Sequence, residues 1–140
     1  MPQLVKGGKW VFGWVVVGGH REITVPPEAY AEYGFRAGEP VFFLHGSRRS
    51  GGFSIGRLAK LEQSQVPIRQ RAFAQGEIGA GGQIDLPSEA CVQAGDRLLA
   101  VRGSGLALGF LTQGPIYEEA VKHPEIEKFV GHTRSAGDFR

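Results

Sequence analysis

A single cysteine, Cys91, in 140 residues excludes an internal disulfide. Its place on a short expected helix reads as a buried structural thiol. Long apolar runs are missing too. The longest, Trp10 to Val17, is broken by Gly13 and falls far short of the roughly 20 residues a membrane-crossing helix needs. The first residues lack the basic–apolar–small order of a secretory signal, so a soluble cytoplasmic protein is expected. Neither sign of charge dominates: 16 Lys and Arg against 14 Asp and Glu give +2, and bulk charge makes no case for nucleic acid. Only the first half is mildly basic, beginning with Lys6 and Lys9 in a stretch without acid. Enzyme signals are thin as well. His20, His45, His123 and His132 are scattered and have no metal-ligand spacing with one cysteine. No serine sits in a nucleophile elbow. Gly103-Ser104-Gly105 joins two expected strands and opens no helix, so it lacks the amide cradle of a phosphate loop. The chain is expected to be no enzyme and to need no metal or cofactor.

Glycine is plentiful: 22 residues, more than twice the roughly 7% average, placed at expected turns between short strands. The stretch Glu22-Ile23-Thr24-Val25-Pro26-Pro27-Glu28-Ala29 organises the chain. Its first four residues alternate as a half-buried strand does, and proline then stops the ladder and suits the first turn of a helix. Gly34 is placed to end that helix in the left-handed conformation, and Gly38 turns the chain into the strand Val41 to Leu44.

The same order returns downstream. Gln83-Ile84-Asp85-Leu86-Pro87-Ser88-Glu89-Ala90 repeats the strand and helix start, Ala94-Gly95-Asp96 repeats Ala37-Gly38-Glu39, and Leu98 to Val101 repeats Val41 to Leu44. Gly46-Ser47 answers Gly103-Ser104, Phe53 to Gly56 answers Leu106 to Gly109, and Phe12 answers Phe73. An internal repeat follows as the expectation. The chain divides into a basic arm at 1–9, repeat one at 10–57, a linker at 58–70, repeat two at 71–112, a helical tail at 113–131 and a disordered tail at 132–140. Within repeat one, Trp10, Phe12, Trp14 and Val16 should share one face of a strand that forms a hairpin with Glu22 to Val25. In the tail, Pro115 should open one helix and Pro124 a second, over Glu125 to Val130.

Strand, proline, short helix, the signature Tyr33-Gly34-Phe35-Arg36-Ala37-Gly38-Glu39 and two further strands together resemble the AbrB/MazE/SpoVT swapped-hairpin family of prokaryotic DNA-binding domains. The resemblance covers about residues 12–57 and 71–112, and two copies in one chain resemble MraZ-like proteins. It implies a mainly β fold: a small swapped-hairpin β-barrel built from two tandem β-β-α-β-β repeats, with a C-terminal helical tail. The physics agrees, because a unit of about 45 residues is too small to bury its own apolar strands. The family's usual arginine before the first apolar residue of the return strand is Glu22 in repeat one and Gln83 in repeat two.

The function so implied is a double-stranded DNA-binding transcriptional regulator that assembles as a homo-oligomer. The turns at 18–22 and 79–83 would project from one end of the barrel. Arg21 would contact phosphate or guanine, His20 and Gln83 a base edge, and Lys6 and Lys9 would act as an arm. Arg48 and Arg49, the densest basic spot, could hold phosphates. The bland reading of Arg21, His20, Arg48 and Arg49 is that of ordinary solvated turn or loop groups. The alternative function is an antitoxin-like or adaptor module that grips a partner protein through residues 115–131.

Overall fold

The structure, a computed structural model, describes residues 10–46, 51–62, 72–102 and 107–130. It is mainly β. In chain order the elements are β1 (Val11–Val16), β2 (Glu22–Thr24), α1 (Pro27–Tyr33), β3 (Pro40–His45), β4 (Phe53–Arg57), α2 (Leu58–Glu62), β5 (Ala72–Glu77), β6 (Gln83–Asp85), β7 (Arg97–Arg102), β8 (Ala107–Leu111), α3 (Pro115–Val121) and β9 (Lys128–Val130). Proline in the first turn starts α1, and Gly34 at φ 71° ends it. The Gly34 N–H donates to Ala31 O and the Phe35 N–H to Tyr30 O, at 3.2 and 3.1 Å. The rings of Tyr30 and Phe35, 6.2 Å apart, supply the apolar contact that accompanies this kind of helix stop. The corresponding downstream segment has four residues fewer before its Ala-Gly-Asp turn. It makes only a 3-10 turn, Ser88–Ala90, closed by Cys91 in the left-handed conformation at φ 59°. That geometry turns the Cys91 thiol outward, so it is exposed rather than buried.

Seven strands form one mixed sheet in the order β5-β3-β4-β8-β7-β1-β9, and β2 pairs with β6 in a separate two-stranded ladder. The expected hairpin between β1 and β2 does not exist. β1 runs antiparallel to β7, β5 runs antiparallel to β3, and β2 runs antiparallel to β6. Residues 10–57 and 71–112 are therefore interlaced, with β4 and β8 meeting at the centre. Apart from β9, the order is unchanged when β1 is exchanged with β5, β3 with β7 and β4 with β8. Among the described residues β5 and β9 are the sheet's edges, and it does not close on itself.

One face of the sheet carries the main core. Phe43, Phe53 and Phe110, all essentially inaccessible, pack there with Ile23 and Ile84 of the small ladder and with Ala29 and Tyr33 of α1. The opposite face has two smaller clusters: α2 sets Leu61 over Leu44 and Ala107, and α3 sets Ala120 over Val11, Trp14, Leu99 and Leu111. A bulge explains why β1 serves both faces. Val11 faces Val101 while Gly13 already faces Ala100, so Phe12 is the extra residue and the alternation shifts by one. Phe12, Val15 and Val17 point into the main core, Trp14 points into the α3 cluster, and Trp10 is exposed. The expected shared face of Trp10, Phe12, Trp14 and Val16 is thus broken.

The tail is half helix and half strand. α3 forms behind Pro115, and Tyr117 meets Trp14 edge-on with ring centres 5.0 Å apart. The expected second helix over Glu125 to Val130 is replaced by β9, which lies parallel to β1 from Trp14 to Val16. Strand wins because the outer edge of β1 offers backbone partners, with the Trp14 N–H donating to Glu127 O at 2.8 Å. Gly13 makes the approach possible. A Cβ there would stand 2.7 Å from the Phe129 ring and 2.8 Å from Glu127 O, and its φ of +154° already disfavours a side chain. His123, at the junction of α3 and β9, places one ring nitrogen 2.8 Å from Glu125 and the other 3.0 Å from Glu119.

Two outcomes follow. Gly13→Val lowers stability by about 2–3 kcal/mol in urea denaturation, because the overpacked side chain pushes β9 away; a loss under about 0.5 kcal/mol would show that β9 does not depend on this approach. The hydrogen bonds to Glu125 and then Glu119 raise the His123 pKa above its ordinary 6.5. A raised base contributes stability that is fully present below the unfolded value and lost as pH rises through the folded one. The urea midpoint should therefore fall as pH is raised from about 6 to about 9, and His123→Gln should remove that part of the slope.

Candidate nucleic-acid interface

The turns preceding β2 and β6 are the parts of the fold that correspond to the expected DNA-facing elements. Because β2 and β6 are antiparallel, with Glu22 opposite Asp85 and Thr24 opposite Gln83, the two turns flank the small ladder from its two ends. They do not lie side by side. Each is closed by the same backbone bonds. Gly18 N–H donates to Glu22 O and Gly79 N–H to Gln83 O, both at 2.8 Å. Leu86 N–H donates to Arg21 O and Val25 N–H to Gly82 O, both at 2.9 Å.

The side chains differ. His20 is exposed at the tip of the first turn. Arg21 adopts φ 60°, unusual for a residue with a Cβ. Its Nε donates to Val92 O at 3.1 Å and its Nη2 to Pro87 O at 2.7 Å. The guanidinium thus ties the first turn to the segment after β6, and the contact joins residues about seventy positions apart in sequence. Gln83 is half-buried on the ladder opposite Thr24. Lys6, Lys9, Arg48 and Arg49 lie outside the described residues.

Glu22 was not expected to matter structurally, yet it is the buried charged residue of the described core, 3% exposed. Its Oε1 accepts the His20 N–H at 2.9 Å, and its Oε2 has no hydrogen-bond partner. The carboxylate sits against the bare α-carbon of Gly18, where any side chain would collide with it. Glu22 therefore braces the first turn from beneath. The sequence did hold a signal for Arg21. Aligning the two segments sets it against Gly82, which is left-handed at φ 79°. An arginine in a glycine's place suggests a side chain with local work to do.

The surroundings of the turns are not strongly basic. Asp85 and Glu89 are exposed there, and Glu28 is exposed at the start of α1. Across the described residues only eight of the sixteen Lys and Arg appear, against thirteen of the fourteen Asp and Glu. The segments 1–9, 47–50, 63–71 and 131–140 carry the other basic residues and a single acid, Asp138. Beside the second turn, Val25, Pro27, Tyr30, Gly81 and Gly82 line an open concavity of about 340 Å³. The tail expected to grip a partner has largely been used internally: Ala120 and Ile126 are buried and Tyr117 is half-buried against the chain's own sheet. Val121 and Val130 remain as its exposed large apolar side chains. Among the described residues no three His, Cys, Asp or Glu side chains are grouped to hold a metal, and no helix is long and apolar enough to cross a membrane.

No protein-family model matches this chain, and no curated protein matches it in sequence.

Arg21→Ala should lower stability by about 2 kcal/mol, since it removes two charge-assisted bonds and keeps the left-handed backbone. Arg21→Gly should cost less, because glycine takes up that conformation freely. Urea denaturation of both variants checks this, and an Arg21→Ala loss within about 0.5 kcal/mol would mean that the guanidinium ties nothing.

Proposed function

We propose that this chain is a double-stranded DNA-binding transcriptional regulator of the swapped-hairpin, AbrB/SpoVT-like type, with two tandem β-β-α-β-β units in one polypeptide. The observation that carries the reading is the exchange of first strands, β1 onto β7 and β5 onto β3, with β2 and β6 laddered between the units. A single unit leaves its first strand without a partner, and a duplicated unit supplies one intramolecularly. Assembly of whole chains into homo-oligomers belongs to the same reading.

In this reading the two turns supply shape and polar contact, through His20 and Gln83, while Arg21 holds the first turn in place. Phosphate attraction comes from the basic segments, with Lys6, Lys9, Arg48 and Arg49 as the contacts. The described body carries an excess of acid, so long-range attraction from it is weak and binding depends on these local charges. A partner-gripping role for residues 115–131 is less favoured, because Ile116, Tyr117, Ala120 and Ile126 pack against its own sheet and leave only Val121 and Val130 as exposed large apolar side chains.

The reading is tested by titrating the full chain with DNA from upstream of its own gene at two salt concentrations. Binding should weaken steeply between about 50 and 200 mM salt. Replacing Lys6, Lys9, Arg48 and Arg49 with alanine should flatten the logarithmic salt slope by about 3 to 4 units. No binding at about 50 mM salt, where phosphate contacts are strongest, removes the reading.

A further inference from the structure

β9 lies on the edge of β1 by few attachments. Lys128 to Val130 pair with Trp14 to Val16 in parallel, the weaker of the two ladder types per residue. The Trp14 N–H donates to Glu127 O at 2.8 Å, and at the far end the Thr24 hydroxyl donates to Val130 O at 3.4 Å. Phe129 is half-buried, and Lys128 and Val130 are exposed. Such a short edge strand opens at a lower free energy than the sheet it lies on.

His123 stands where the chain leaves α3 for this strand. Its Nδ1 lies 2.8 Å from Glu125 Oε2 and its Nε2 3.0 Å from Glu119 Oε2. Two ionised carboxylates are acceptors only, so together they ask two N–H donors of one ring, and only the imidazolium has both. The neutral ring must give up one link. Glu119 also has Lys122, with Nζ 3.7 Å away, whereas Glu125 is exposed in the connection to β9. The link given up is therefore the one on the β9 side. Of the strands under α3, β1 and β8 carry no charged side chain. On β7, Arg97 keeps its guanidinium over the Trp14 ring and Arg102 pairs with Glu32. Lys128 of β9 is exposed, and among the described residues only Glu125 and Glu119 act on the charge of the ring.

We propose that residues 124–130 are a proton-controlled strap: charged His123 seats β9 on the edge of β1, and neutral His123 lets it lift. Lifting frees the Trp14 amide, uncovers Gly13 and releases Thr24 from Val130, on the strand that follows the first turn. The bonds to Glu125 and then Glu119 raise the ring's pKa, so the seat is fully present below the ordinary 6.5 and is lost as pH rises through the folded value. This is a local opening, separate from the loss of global stability at the same pH, and it does not depend on DNA binding.

Amide hydrogen exchange of the full chain, followed by NMR from about pH 6 to about pH 9 and corrected for the intrinsic pH dependence of exchange, tests the strap. The Val17 N–H, which donates to Asp96 O at 2.9 Å on the other side of the β1 chain, is the reference for opening of the sheet itself. Protection of the Trp14 amide relative to Val17 should fall about two- to fivefold over that range, the size of an exposed ion pair. His123→Gln should hold the ratio at its low, high-pH level throughout. Glu125→Gln should remove most of the fall, because an amide can donate to a neutral ring nitrogen as readily as it accepts from a charged ring. The proposal falls if the wild-type ratio is flat across the range, or if either variant keeps the full pH-dependent fall.

Discussion

Backbone hydrogen bonding between segments far apart in the chain is the constraint on which the rest of this structure depends. β1 satisfies its amides and carbonyls on β7, some ninety residues away, and β5 returns to β3. A strand buried on one face without a ladder partner leaves polar groups stranded at a cost of one to several kcal/mol each. Neither half can therefore keep its first strand in place alone. The main core reflects the same dependence: Phe53 from one half stacks on Phe110 from the other with ring centres 5.1 Å apart. The many long-range pairings place this core among the slower-folding topologies.

Within this nearly symmetric frame the two halves differ where the frame does not dictate the side chain. The matching turns keep their backbone bonds, yet one carries Arg21 above a buried Glu22 and the other carries Gly82 before a half-buried Gln83. One half has a full helical turn with a glycine stop, and the other has only a 3-10 turn ending at Cys91. The outer edge of β1 is covered by β9, whereas the equivalent edge of β5 has no strand on it among the described residues. A braced turn and an open, glycine-built turn thus flank one small ladder. The first is tied through the Arg21 and Glu22 side chains, and in the second Gly79, Ala80 and Gly81 are exposed.

Charge follows a different division. The described residues are acid-rich, with eight Lys and Arg against thirteen Asp and Glu, and the other eight Lys and Arg are not among them. Coulomb interaction at such a surface decays within about a Debye length, roughly 8 Å at physiological salt, so each charged segment acts locally. Where the basic segments attach then matters more than the net charge of +2.

The local grammar of the chain was legible in the sequence alone. The strand at Glu22 to Thr24, the proline start of α1, the glycine stop at Gly34 and the proline opening of α3 all depend on neighbours within a few residues, and each stands where its pattern put it. Partners were not legible, because they are chosen over long distances. A β1–β2 hairpin and a β1–β7 ladder ask the same alternation of β1, and a helix and a strand ask similar apolar content of residues 125–130. Tertiary structure decided both, through the open backbone edges of β1 and the bare Gly13 that admits Phe129. It also decided the roles at the turns, where one exposed-looking arginine became a tie and one strand glutamate became a buried brace. Those assignments depend on which carbonyls and which empty α-carbons come within reach, and only the folded arrangement sets that.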